Sequence, residues 1–486
     1  MPRPKKVTEP KECQAAQQSD APLAGRLGRL SLGRQLLALA IWPLLEQILS
    51  FMVNTVDFIL ATRMSEGEER IAILDALGLG GYVMWLMIIL QGATATGVLA
   101  IVSRAAGSRN PVEARDGLEQ GILAGLLVGT FSGLIMRFAL PSLIGTFGLS
   151  PGAAVAAFEY LSILVWSCPI LGIFYACTNA LRAVGDTRTP FFIMLVINLA
   201  NVALSASFVF LDPPVGGQGI AGLALGSLLG WVLGTIIVLC VLSRRGKPDS
   251  EEITLSLRGA HWLPQRKMMV RICRVGLPNG FEMFGMWLIH SYVIRLITGL
   301  PFDGALAAHI IAIRVESLSF MPGIAIGTAS ATLIGQYLGA NHPGMALKAL
   351  RTAWLSGLAF MSAAGGIFLL IPDTIVELIL PPSDEEAVRL VALAVPLVFI
   401  CGIFQPALAT TMIMKTSLRG SGATRTVMAW SFTSLILFRV VGITLYDHLA
   451  EITLVAIWIF MTIDLFAQAI VFATISFKGK WRETTV

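Results

Sequence analysis

The chain has 486 residues, 55% of them hydrophobic and only 13% charged, with a formal net charge of +5 and a mean hydropathy of +0.76. A soluble domain carries about a quarter charged residues, so an ordinary water-soluble enzyme is excluded and lipid is the solvent for most of this chain. The apolar runs are long and unbroken rather than alternating, which predicts helices and excludes an outer-membrane barrel.

Residues 1–34 are polar and basic and have no apolar run followed by a small-residue cleavage site. They read as a cytoplasmic tail rather than a signal peptide. Apolar helical segments long enough to span a bilayer are predicted near 36–62, 76–103, 117–140, 155–181, 190–211 and 217–243, a first lobe over 35–243. A polar cytoplasmic linker, 244–267, follows. Six more segments near 270–299, 304–337, 346–371, 387–415, 426–446 and 452–476 make a second lobe over 268–476, before a short tail at 477–486.

The 35 lysines and arginines fall almost entirely on alternate loops. The other loops hold only Arg63, Arg70, Arg137 and Arg389, and Arg295, Arg314 and Arg439 lie inside spans. Basic loops stay cytoplasmic, so both termini are placed inside a cell (inner or plasma) membrane. An odd number of spans would scramble the bias, which supports twelve. The six cysteines show no CxxC or metal spacing and read as small packing residues. His290 and His309 are too isolated in sequence for a metal site. No HExxH, GxSxG, Walker A or strand-flanked GxGxxG occurs, so no catalytic machinery, nucleotide or cofactor is expected and energy must come from an ion gradient.

The two halves repeat. Arg104–Ala114, with Gly107 and Pro111, aligns with Gln336–Ala346, with Gly339 and Pro343, at a shift of 232. Leu181-Arg-Ala-Val-Gly185-Asp-Thr187-Arg188-Thr189 aligns with Leu418-Arg-Gly-Ser-Gly422-Ala-Thr424-Arg425-Thr426 at a shift of 237. Pro43 faces Pro278 and Pro169 faces Pro406 at 235 and 237. Each half has an even number of spans, so both insert the same way, as parallel repeats about an axis along the membrane normal. The expectation is an all-α membrane protein, twelve helices in two six-helix lobes around a central cleft.

An ionisable group at mid-bilayer costs about 2.5–3.5 kcal/mol on insertion scales and is kept when it is paired or when it works. Glu46, Asp57, Glu282 and Asp464 lie in or near spans with no local basic partner. Asp57 has Asn54 one turn before it on the same helical face; it reads as a functional acid or a structural hydrogen bond. Glu46 and Glu282 follow equivalent prolines, where freed backbone groups also need partners. Asp464 reads as a satisfied structural group. Asn198 and Asn201 share a face of the fifth helix and suit either a carboxylate that changes charge or interhelical glue. Glycines at 121, 125, 129 and 133, and at 222, 226, 230 and 234, read as packing ridges.

Leu181–Pro190 with its echo at 418–426, and the paired loops around Gly107 and Gly339, resemble the multidrug and toxic compound extrusion (MATE) family. Ala307-Ala308-His309 through Arg314, Glu316 and Met321-Pro322-Gly323 fits that family's eighth helix, and Gln218–Ala224 its sixth. Arg314 and Glu316 read as holding the cytoplasmic or cleft end of that helix rather than a drug. The likeness covers about residues 35–476. It implies a two-lobe exporter of amphipathic organic cations, driven by protons or sodium. Asp57, fourteen residues after Pro43, matches the family's coupling acid of the first helix. The family's DinF-like branch, to which the chain looks nearer, has an Asn and, four residues later, an Asp in the fifth helix; here they are Asn201 and Ser205. Ser227 matches that branch's hydroxyl in helix six. The NorM-like branch places a carboxylate eight residues after the proline of helix seven, whereas Glu282 lies four after Pro278. Proton and sodium thus both stay open.

The expected function is an efflux antiporter acting as a monomer in the lipid bilayer on small organic cations, with no nucleic acid or nucleotide partner. Two alternatives stand beside it. A lipid-linked oligosaccharide flippase would need a large basic cleft, and a membrane-embedded enzyme would need paired catalytic groups near one interface.

Overall fold

The computed structural model describes residues 23, 25–244, 253–260, 262–381 and 384–484, and every regular element among them is helical. Residues 1–22 and 24 of the predicted tail and 245–252 of the predicted linker lie outside the described residues. The first lobe comprises α1 (Leu32–Thr62), α2 (Gly67–Gly107), α3 (Pro111–Thr146), α4 (Pro151–Leu164 and Ser167–Ala183), α5 (Arg188–Phe210) and α6 (Gly219–Arg244). The second comprises α7 (Arg266–Thr298), α8 (Ala305–Gly339), α9 (Pro343–Leu370), α10 (Glu385–Gly420), α11 (Thr424–Leu449) and α12 (Leu454–Lys478).

Ten of these helices are long and apolar enough to cross a membrane, and the two pieces of α4, bent by 49°, make an eleventh. The twelfth is α7, whose hydropathy is lowered by Arg266, Lys267, Arg271, Arg274, Glu282 and Arg295. It is nevertheless packed between α2 and α11. Helix α2 starts well before its predicted span, because Glu68, Glu69 and Arg70 in its first turn break the apolar run without breaking the helix.

Local chemistry sets many of the boundaries. Asn110, Ser150, Asp384 and Thr453 accept hydrogen bonds from the third residue of the helices they precede, filling donors that a helix start leaves open. Pro111 and Pro151 begin α3 and α4, where the missing N–H costs nothing. Along α3, Phe131, Leu134, Ile135 and Phe138 are exposed, a bulky face suited to lipid. The glycine face packs inward: a side chain at Gly125 or Gly129 would strike the backbone of α4 at Gly172 or Cys168.

The duplication shows in the backbone. Arg109 and Asn341, 232 residues apart, both take positive φ (55° and 60°), and Gly185 and Gly422 do the same (95° and 91°). Asp186 N donates to Leu181 O at 2.9 Å, and Ala423 N to Leu418 O at 3.0 Å, so the two copies end α4 and α10 with the same turn.

Three buried apolar cores lie chiefly within the lobes. Another joins Leu36 and Leu39 of α1 to Leu333, Ile334 and Tyr337 of α8, and so ties the lobes together at the face carrying both chain ends. At that face Gln336 Nε2 donates to Ala183 O (2.8 Å), Arg104 Nη2 to Ser421 O (2.8 Å) and Tyr337 Oη to Gln35 Oε1 (2.7 Å). Near the opposite face α2 meets α7, where Tyr82 Oη contacts Ser291 Oγ at 2.5 Å and donates to Trp287 O at 3.2 Å.

Asp464, fully buried, receives Ser434 Oγ at 2.5 Å, Gln468 Nε2 at 2.9 Å and Arg439 Nε at 2.6 Å. Arg439 comes from a π-helical stretch of α11, Leu435–Gly442. Breaking a buried pair from one side leaves an uncompensated charge, at a cost of about 3–5 kcal/mol. Arg439→Leu is therefore expected to lower the melting temperature of the purified protein strongly, and Arg439→Leu/Asp464→Asn to recover most of the loss.

Candidate functional site

A cavity of about 790 Å³ lies mainly within the first lobe, with walls from α1, α2, α4, α5, α6 and the middle of α8. The period of α1 carries Glu46, Gln47, Ser50 and Asp57 into it, and α2 supplies Gly78, Gly81, Met84 and Trp85. Aromatic rings of Tyr160, Tyr175 and Trp231 complete a wall that is apolar with a few polar points, the usual form of a small-molecule site.

Glu46 is held toward the chain-end side. Both its oxygens lie 2.7 Å from Arg182 Nη2, at the end of α4. The pair clasps α1 to α4 just past Pro43, which cannot donate to the helix ladder. Asn201 Nδ2 donates to Ser227 Oγ at 2.8 Å, joining α5 to α6. Four buried atoms on this cavity's residues have no hydrogen-bond partner among the described residues: Asp57 Oδ1, Arg182 Nε, Asn198 Nδ2 and Asn201 Oδ1. Buried polar atoms are nearly always paired, so these mark where a ligand, ion or water gains most.

The structure therefore gathers Asp57, Glu46, Asn198, Asn201 and Ser227 around one space. It places Ser205 and Glu282 elsewhere. Ser205 is fully buried between α5 and α6, its hydroxyl directed to Leu223 O at 3.5 Å, with Gly226 packed against it. Glu282 lies in the second lobe, 2.7 Å from Lys415 Nζ and 2.9 Å from Arg419 Nη2. Asn54 belongs to α1, and its side chain lies outside the described residues.

The reading of four acids with no local basic partner is corrected for three of them. Glu46, Glu282 and Asp464 all meet cations from other helices; Asp57 alone has no ion pair among the described residues. The repeat held the missing signal. Arg182 and Arg419 are equivalent in the two motifs at a shift of 237, and Glu46 and Glu282 lie 236 apart, so one clasp is built twice. Of the two ends expected for Arg314, the structure places it at the cleft: it lines the cavity from α8 and, among the described residues, is the one charge the second lobe adds there. Tyr160, Tyr175 and Trp231 carried no spacing signal. His290 and His309, distant in sequence, lie 6.1 Å apart by ring centroid, with Trp458 Nε1 donating to His309 Nδ1 at 3.2 Å. Among the described residues no three His, Cys, Asp or Glu side chains are grouped to hold a metal.

The MatE family matches residues 36–206 and 278–445. A relative from Thermotoga maritima, described as a probable multidrug resistance protein NorM, is 26% identical over 459 residues, 93% of this chain and 94% of its own. The multidrug resistance protein PmpM of Pseudomonas aeruginosa is 25% identical over 398 residues, 81% of this chain and 80% of its own. A solved outward-facing multidrug resistance MATE transporter of the MOP superfamily superposes with a TM-score of 0.83 at 19% identity, over 96% of this chain and all of its own. A MOP superfamily transporter from Pyrococcus furiosus, described as having a binding pocket of reversed polarity, gives 0.82 at 20% identity over the same shares. These structures establish the two-lobe fold. Because the family match takes in a long block of each repeated lobe and well over half of the chain, the protein belongs to the MatE family.

Proposed function

We propose that the protein is a secondary active multidrug efflux antiporter, exporting amphipathic organic cations in exchange for protons or sodium by alternating access. The observation that carries this reading is Asp57: an acid without an ion pair among the described residues, one oxygen buried and unpartnered among them, in a cavity walled by aromatic side chains and methionine. The names of the relatives, multidrug resistance proteins, support the same conclusion.

A lone carboxylate in such a place holds a proton, a sodium ion or an organic cation, one at a time. Asn198, Asn201 and Ser227 supply donors and acceptors that suit either form of the acid. Competition for Asp57 then couples the two fluxes, and each tenfold ion gradient contributes about 1.4 kcal/mol toward releasing the cation. We place both chain ends in the cytoplasm of a cell with the protein in its inner (plasma) membrane. We place it there as a monomer.

A flippase for lipid-linked sugars fits less well. Of the basic groups lining the cavity, Arg182 is neutralised by Glu46, which leaves Arg314. The same residue tests the cation reading. Arg314→Gln removes a like charge from the space, so the KM for a cationic dye should fall roughly fivefold, about 1 kcal/mol at effective dielectric constants near 20.

Proteoliposomes exposed separately to a sodium gradient and a pH gradient test the function itself, with ethidium as the probe. At least one gradient should accelerate ethidium movement. Equal rates with and without both gradients would overturn the antiporter reading.

A further inference from the structure

We propose that the second lobe contains a monovalent-cation site whose resident is the chain's own Lys415 ammonium, which leaves the first-lobe cavity as the place where a mobile cation is exchanged. This rests on the antiporter reading for its role in transport; the site itself rests on geometry.

Lys415 is 9% exposed, deep among α7, α10 and α12. Its Nζ lies 2.7 Å from Glu282 Oε1 and 3.4 Å from Gln468 Oε1, and 5.5 Å from the centre of the Phe472 ring. A carboxylate oxygen, an amide oxygen and an aromatic face are the donors a desolvated monovalent cation requires. A second layer fixes them. Ser431 Oγ donates to the same Glu282 oxygen at 2.7 Å. Gln468 commits its amide N–H to Asp464 Oδ1 at 2.9 Å, which turns its carbonyl toward Lys415. Asp464 is in turn held by Ser434 and Arg439. Arg419, 14% exposed, stands at Glu282 Oε2, 2.9 Å away, so the oxygen facing Lys415 is left to the ammonium and Ser431.

Comparison of the lobes isolates what Lys415 adds. The Glu–Arg clasp is common to both, as Glu46–Arg182 and Glu282–Arg419. At the shift of 237, the position of Lys415 is Thr178 in the first lobe, whose hydroxyl is satisfied by Phe174 O at 3.0 Å. The first lobe therefore keeps the Glu–Arg clasp without the lysine and has a further acid, Asp57, with no ion pair among the described residues, beside an open cavity, while in the second lobe the ammonium of Lys415 closes over the clasp's own acid. A buried carboxylate needs a compensating positive charge. Beside the Arg419 guanidinium, an ammonium on the chain supplies positive charge at a high effective concentration and cannot leave with a gradient, so this site stays occupied throughout the cycle.

The test is thermal unfolding of the purified full-length protein at fixed pH and ionic strength in sodium, potassium, methylammonium or choline chloride. Every variant is made in an Asp57→Asn background, so that the first-lobe cavity contributes no cation dependence. The background protein should melt at one temperature in all four salts. Adding Lys415→Ala should lower it most in choline, with a saturable rise of about 2 °C or more in sodium or methylammonium. Adding Glu282→Gln as well should abolish the dependence on salt, whatever the absolute melting temperature. If the Lys415→Ala protein melts alike in all four salts, or folds in none, the pocket is not a cation site and the proposal is overturned. Failure of gradient-driven ethidium transport would instead sink the antiporter reading and leave this salt dependence as it is found.

Discussion

Asp57→Asn, reconstituted into liposomes, is expected to insert and fold normally yet to move ethidium under a proton or sodium gradient no faster than protein-free vesicles. The substitution keeps shape and hydrogen-bonding capacity and removes only the charge. Stability should hold, because Asp57 makes no ion pair whose loss would strand a buried partner. Function should not hold, because the coupling ion and the organic cation compete for that one charge. Glu46 cannot replace it: both of its oxygens are committed to Arg182. The matching control is Ser205→Ala, which lies behind the cavity at the α5–α6 contact and should leave transport near that of the unaltered protein. Undiminished gradient-driven transport by Asp57→Asn would remove this acid from the mechanism.

The second large effect is expected at the chain-end face. A β-carbon on Gly339 would lie 2.1 Å from Arg104 O, and one on Gly107 1.9 Å from Gln336 O. Both obstacles are backbone, so no side chain can swing aside and α2 must part from α8. Overpacking of this kind costs about 1–3 kcal/mol. If only the closed chain-end face bears that cost, the balance between the two access states moves about 5- to 150-fold. Gly339→Ala should therefore slow transport and open the cavity toward the chain ends. A cysteine placed at Thr328, which lines the cavity from α8, should then react with a membrane-impermeant thiol reagent added from that side. Unchanged labelling and unchanged transport would show that these glycines do not govern the seal.

Part of the site was legible beforehand. Asp57, Asn198 and Asn201 stand out because polar groups inside apolar helices are few, and the helical period puts the two asparagines on one face; Ser227 was named only by the family resemblance. Ser205 came from the same resemblance, which does not tell a cavity-facing position from one packed against a glycine such as Gly226. Pairing was less legible still. The partners of Glu46 and Asp464 are 136 and 25 residues away, and only the duplicated Glu–Arg spacing hinted at the first. For Arg314 the cytoplasmic and cleft ends both stayed open, because nothing local reveals that α8 of one lobe faces the cavity of the other.

By itself the sequence determined that the chain lies in lipid, that it crosses in helices, that there are twelve of them, and that six were copied to make the rest. The reason is physical: hydrocarbon offers no partner to a free N–H or C=O, so each span must satisfy its own backbone, and length, apolarity and loop charge are local properties. Only the tertiary structure decided which acid among the described residues is left without a counter-charge, where the lobes meet, and that Lys415 joins the Glu282–Arg419 pair of the second lobe. Those outcomes depend on a few ångströms between side chains on different helices, a distance set by packing across the whole bundle.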